Sequence, residues 1–210
     1  MHWTLGRTLL GLAALGAVGT LVVATVGIGG LRTARGGMNA LVTSTRAQRL
    51  QMDADMMHDA IRADAMESVL GVFQKDSTRV VSARASLAEH AARLRQNMSE
   101  VRSATSGATQ TLVDSLKGPV EAYLASADAV VRAAFTADSA NVASANASFV
   151  VEFGRLETDM EKFGDAIGAD ALATSSGVER LFTSLTWLLL GVTSLTTALV
   201  FVVSRKVGLR

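Results

Sequence analysis

The sequence predicts an all-α protein, with two transmembrane helices bracketing an elongated antiparallel periplasmic four-helix bundle. Three observations support this. Residues 8–31 and 181–204 are two uncharged runs of 24 residues each, and a helix rising about 1.5 Å per residue needs only about 20 to cross a bilayer core. The 149 residues between them are polar overall, with apolar side chains returning every three or four positions. The third is composition: one proline, one tyrosine and two tryptophans in a chain that is 49% hydrophobic. β-rich domains use more aromatic and turn residues than that.

The chain therefore divides into a cytoplasmic N-terminus (1–7), a first transmembrane helix (8–31), the bundle (32–180), a second transmembrane helix (181–204) and a cytoplasmic C-terminus (205–210). Orientation follows from charge. Outside the middle segment the charged residues are Arg7, Arg205, Lys206 and Arg210, whereas all 19 carboxylates fall inside it against 16 basic residues. Cytoplasmic ends are the ones rich in Lys and Arg, which places the bulk of the chain in the periplasm of a bacterial inner membrane. Arg32 and Arg35, directly after the first run, pull the other way. A cleaved signal peptide has an apolar region of about 7–15 residues and an Ala-x-Ala-like site. Here the run is longer and ends in Gly27, Ile28, Gly29 and Gly30, which favours an uncleaved anchor.

The absence of cysteine excludes a disulfide scaffold and any Cys-based metal or redox chemistry. The formal net charge of +1 gives no nucleic-acid footprint.

Within the middle segment the first helix runs from about residue 38 to 73 through Met52, Met56, Met57, Ile61, Met66 and Leu70, with the methionines read as adaptable core filler. The second carries Val80, Arg84, Leu87, Ala91, Leu94, Met98 and Val101, a narrow seam that only Arg84 interrupts. A third carries Leu112, Leu116, Val120, Tyr123, Ala127, Val130 and Ala134, with Pro119 inside it expected to kink or break the axis. The fourth is the most regular: Val142, Asn146 and then the bundle-core residues Phe149, Phe153, Leu156, Met160, Phe163 and Ile167 alternate steps of three and four. Turn residues separate the helices at 75–78, 103–107 and 138–139, with Asp138 and Ser139 as the N-cap region of the last. The first and fourth helices should continue without interruption into the two membrane spans.

Candidate binding residues are few. The first helix carries Asp53, Asp55, His58, Asp59, Arg62, Asp64 and Glu67. Its four-residue spacings make a solvated face of intrahelical ion pairs the commoner reading. The sharper alternatives are an anion site at His58 and Arg62, or a metal held by Asp55, His58 and Asp59. A histidine with carboxylates and no second ligand group is a weak metal signal, so no metal and no cofactor is expected. Arg84 is either a ligand arginine or a residue near a helix end that extends outward.

In the spans, Gly16, Thr20 and Ala24 form a small-residue stripe, and Gly191, Ser194 and Ala198 form another. Such stripes allow close approach of a helix, either the other span or a foreign one. Trp3 and Trp187 are candidate markers of the membrane interfaces. No catalytic constellation appears: there is no Gly-rich phosphate loop, no strand for a nucleophile elbow and no paired carboxylates in an evident cleft.

Two spans around a bundle of about this size resemble the ligand-binding region of methyl-accepting chemotaxis receptors of the four-helix-bundle sensor type. The strings that carry the resemblance are residues 51–66 (QMDADMMHDAIRADAM), 118–134 (GPVEAYLASADAVVRAA) and 149–167. The resemblance implies a homodimer that binds a small anionic ligand between helices through arginines. Receptors of that family continue into a HAMP linker and a cytoplasmic signalling hairpin, which the sequence to Arg210 does not include. The expected function is therefore a non-enzymatic, membrane-anchored accessory subunit, contacting the lipid bilayer and other subunits of a larger membrane complex, respiratory or photosynthetic or a transporter. The alternative is a sensory module signalling as a homodimer, or a regulator mixing with full-length receptors.

Overall fold

The computed structural model describes residues 5–136 and 138–208, with some side chains near the two termini left aside. Trp3, Arg210 and the side chains of Arg7 and Lys206 lie outside the described residues. Four helices account for nearly all of the rest: α1 (Leu5–Gln74), α2 (Ser77–Ala104), α3 (Gly107–Phe135) and α4 (Ser139–Gly208). Among the described residues there is no strand. The all-α expectation stands, and α1 and α4 each run unbroken for 70 residues. Both contain a window long and apolar enough to cross a membrane, and neither window is buried within the chain.

The helix ends are set by local chemistry. α1 stops at a pair of backbone bonds, from the Asp76 amide to the Gly71 carbonyl and from the Lys75 amide to the Val72 carbonyl, which places Lys75 in the left-handed region at φ 58°. The Asp76 carboxylate then caps α2 by accepting from the Arg79 amide at 3.1 Å. Asp138 does the same for α4, accepting from the Ala140 and Asn141 amides, with Ser139 as the first helical residue. Gly107 opens α3 at φ 59°, a conformation that suits a residue without a Cβ. Pro119 does not break α3, which is helical on both sides of it.

Two compact units are present, residues 42–173 and a second unit made of 1–41 with 174–210. In the first, all four helices contribute to one buried core. α4 supplies much of its bulk, Phe149, Phe153, Leu156, Met160, Phe163 and Ile167, and α3 adds Tyr123. α1 supplies mainly small ones, Ala47, Ala54 and Ala65 around Ile61. Met52 and Met56 are exposed, against the expectation that they fill the core, whereas Met57 and Met66 pack on its margin. On α2 it is Ala83 rather than Arg84 that turns inward, since an unpaired guanidinium is costly to bury.

Pairings across helices fix the register. On α1 and α2, Arg46 pairs with Glu100, Asp53 with Arg93 and Asn97, Asp64 with His90, and Glu67 with Arg79. Numbers rise on one helix as they fall on the other, so these segments are antiparallel. The same holds for Arg95 with Glu121 and Arg102 with Asp114 between α2 and α3. The expected ion pairs within α1 are thus largely replaced by pairs between helices.

In the second unit, α1 and α4 meet through glycines. A Cβ at Gly19 would touch Thr196, one at Gly30 would lie 3.2 Å from Leu185, and one at Gly37 3.2 Å from Val178. These are not the stripes read from the sequence. Gly16 and Gly191 have no neighbour within 4 Å of an added Cβ, and Thr20, Ala24, Ser194 and Ala198 are exposed. Several faces of a glycine-rich helix are smooth, and only one of them can face the neighbour.

Candidate functional site

The most organised group of polar and aromatic side chains surrounds His58. Alternating steps of four and three along α1 put Ala54, His58, Ile61, Ala65 and Ser68 on the face turned to the core, and all are buried. His58 is 2% exposed. Its ring lies flat on Phe153 of α4, with centroids 4.4 Å apart and planes 6° apart, and Tyr123 of α3 is tilted against it at 4.9 Å. The Tyr123 hydroxyl donates to the His58 backbone carbonyl at 2.7 Å. Phe149 continues the layer on Tyr123. One turn along α1, the exposed Arg62 places its guanidinium 4.5 Å from the Phe153 centroid, a cation–π contact.

The electrostatics follow from this burial. Loss of solvent pushes the His58 pKa below its ordinary value, against the pull of Asp59, Asp55 and Glu157 and of the Phe153 backbone carbonyl. Burial likewise drives the Tyr123 hydroxyl far above the usual phenol range. His58 Nε2 is buried with no hydrogen-bond partner, as is Asn146 Oδ1.

Two polar links between α1 and α2 flank the layer. The Asp53 carboxylate accepts from Arg93 at 2.9 and 3.1 Å and from the buried Asn97 at 2.7 Å. The hydrogen bond from Arg93 holds its pKa below the carboxylate norm. Asp64 lies 2.7 Å from His90 Nδ1, and burial raises its pKa while His90 opposes the rise. Thr109 of α3 donates to Asp170 of α4.

The structure brings His58 and Arg62 to one aromatic ring, Phe153, but does not bring Arg84 to them. Arg84 is exposed and sits 5.3 Å over Phe135, at the end of α3. His58 presents its ring to phenyl groups rather than to Asp55 and Asp59, and no group of three or more His, Asp or Glu able to hold a metal occurs among the described residues.

Three open clefts lie elsewhere. One of about 330 Å³ between α2 and α3 has Met98, Val113 and Val120 in its wall and the Arg95–Glu121 and Arg102–Asp114 pairs beside it. A second, of about 450 Å³, is acidic, with Asp55, Glu157, Glu161 and Asp165 on α1 and α4. A third, of about 460 Å³, lies near the α1–α2 turn against Val81 and Phe135. None of the three is lined by His58, Arg62 or Arg84.

Reading the sequence for charge placed His58 on a polar face and missed its contact with Tyr123 and Phe153. The signal that finds it is the spacing of Ala54, His58, Ile61, Ala65 and Ser68, a seam of small residues with one imidazole in it. Compared with protein-family models, with curated proteins and with solved structures, the chain gives no match.

Proposed function

We propose that this chain is a membrane-anchored, non-enzymatic subunit that works through contacts with other membrane proteins. Its spans lie near the two termini, both termini are cytoplasmic, and residues 32–180 form an elongated antiparallel four-helix bundle in the periplasm of a bacterial inner membrane. The bundle is of the chemoreceptor-sensor type. The single observation that carries this reading is the outward placement of the two small-residue stripes. Thr20 and Ala24 on α1 and Gly191, Ser194 and Ala198 on α4 are exposed, and nothing lies within 4 Å of a Cβ placed on Gly16, while the two helices meet through Gly19, Gly30 and Gly37. Smooth faces that a chain does not use on itself suit close packing by a foreign helix, since association within lipid depends on backbone approach more than on apolar area.

The test is purification of the tagged protein from its native membranes in mild detergent, with identification of the chains that travel with it. Stoichiometric partners that are lost on Gly16→Leu with Thr20→Leu support the proposal. A chain that migrates alone or only with itself, unaffected by those changes, refutes it. Because the chain has no cysteine, a single Ser139→Cys variant reports orientation: labelling of intact spheroplasts by a membrane-impermeant maleimide is expected.

A second reading, sensing of a small ligand by a homodimer, is favoured by the α2–α3 cleft, whose volume of about 330 Å³ falls at the lower end of ligand pockets, roughly 300–1,000 Å³. Calorimetry of the detergent-solubilised chain against organic anions and amino acids decides it. Absence of heat at millimolar ligand removes the reading.

A further inference from the structure

A neutral imidazole tolerates an apolar layer, because one nitrogen can carry the proton and the other need only forgo a hydrogen bond. An imidazolium does not. Both nitrogens are then donors, and a buried N–H⁺ without an acceptor carries a desolvation cost far beyond that of a neutral group. His58 is in that position: 2% exposed, stacked at 4.4 Å on Phe153, and with Nε2 buried and unpartnered. The charged and titratable groups around it are Asp55, Asp59 and Arg62 on α1, Tyr123 on α3 and Glu157 on α4. Asp55, Asp59 and Glu157 are exposed. Within the layer the Phe153 backbone carbonyl can accept from one nitrogen of a protonated ring, but Nε2 is unpartnered there, so its added proton finds an acceptor by leaving the layer.

We propose that His58 is a pH-operated latch: neutral, it holds α1 against α3 and α4 through the Phe153–Tyr123 layer, and protonated, it swings toward Asp55, Asp59 and Glu157 and loosens that layer. The direction of the effect follows from linkage. The pKa in the folded chain is depressed below the ordinary 6.5, so the unfolded or opened state binds the proton more readily. The stabilisation is complete above about 6.5 and is lost as the pH falls from there toward the depressed folded value. Arg62 lies over the same Phe153 ring, 4.5 Å from its centroid.

The chain provides its own reporter, since Tyr123 is its sole tyrosine. The full-length protein in detergent micelles, labelled with 3-fluorotyrosine, should show a second fluorine resonance on acidification from pH 7.5 to 5. The ratio of the two should change about tenfold per pH unit below the midpoint, which should lie below 6.5, with one proton taken up. His58→Gln, which keeps a polar side chain that does not titrate, should abolish the change, whereas His90→Gln should preserve it although His90 pairs with Asp64. Histidine-labelled protein gives the same answer without substitution, through the pH dependence of the His58 ring signals. A transition that persists in His58→Gln, a His58 pKa at or above 6.5, or a Tyr123 resonance that does not change over this range each overturns the proposal.

Discussion

The unit of residues 42–173 and the unit of residues 1–41 with 174–210 use apolar side chains in opposite ways. In the first, Phe149, Phe163, Leu94, Leu116 and Val130 are fully buried and the surface carries paired charges. In the second, Leu21, Leu31, Trp187, Leu195 and Phe201 point outward, and glycines lie where the helices meet. A core that excludes water is stabilised by large side chains turned inward. Two helices whose surroundings are themselves apolar gain little from that and more from close backbone approach. The same amino acids are thus arranged for two different surroundings, water around one unit and, on the proposed reading, lipid around the other.

The sharpest way to break this comparison is to remove one phenyl ring from each unit. Phe163 is completely buried, so Phe163→Ala should cost about 3–5 kcal/mol and lower the thermal midpoint followed by circular dichroism of the detergent-solubilised chain. Phe201 is 65% exposed, and Phe201→Ala should stay within about 0.5 kcal/mol of the parent. Comparable losses in both variants would show that the second unit also depends on a packed core.

How far each unit could be read from the sequence follows the same division. The α4 seam from Phe149 to Ile167 stands out because its residues are large and its spacing regular, and those residues are buried in the structure. α1 is harder to read. Its inward face is alanine, serine and one histidine, while its conspicuous Met52 and Met56 face outward, because small side chains allow the neighbouring helices closer than methionines would. The choice of Arg84 over Ala83 on α2 is an ambiguity of helical period, since steps of three and of four both continue a stripe. Only the cost of burying charge resolves it. In the spans several smooth faces compete, and the sequence holds nothing that ranks Gly16 below Gly19. The site around His58 is the least legible part, because Tyr123 and Phe153 lie on different helices and their meeting depends on packing across α1, α3 and α4.

A smaller effect sharpens the account of how the first unit closes. Gly71 is buried at the end of α1, and a Cβ there would stand 2.7 Å from Val80 Cγ2 and 3.0 Å from the Asp76 carbonyl oxygen. Neither is the free end of a flexible chain, so Gly71→Ala should cost about 1–3 kcal/mol. Gly16→Ala, with open space around it, should cost nothing measurable in the solubilised chain. An unchanged thermal midpoint for Gly71→Ala would mean that the α1–α2 turn can shift without penalty.

Next in size is the hydroxyl that ties α3 to α1. Tyr123→Phe keeps the ring on His58 but removes the 2.7 Å bond to the His58 carbonyl. The His58 carbonyl is part of the α1 helix, so the change should cost about 0.5–1.5 kcal/mol, read from the denaturant midpoint. A larger loss would mean that the hydroxyl, rather than the ring, positions α1.

The smallest expected effect is a gain. Lys75 holds φ 58° at the residue after α1, where its Cβ crowds the following carbonyl. Glycine takes that conformation without the strain, although it also leaves the unfolded chain with more freedom. The strain should outweigh the added freedom, because the two backbone bonds to Gly71 and Val72 fix the turn in either variant. Lys75→Gly should therefore raise stability by up to about 1 kcal/mol, seen as a small upward shift of the thermal midpoint. A loss instead would show that the Lys75 side chain itself contributes to the cleft between Ser77 and Phe135, and would make that end of the unit, rather than its aromatic layer, the next place to look for a ligand.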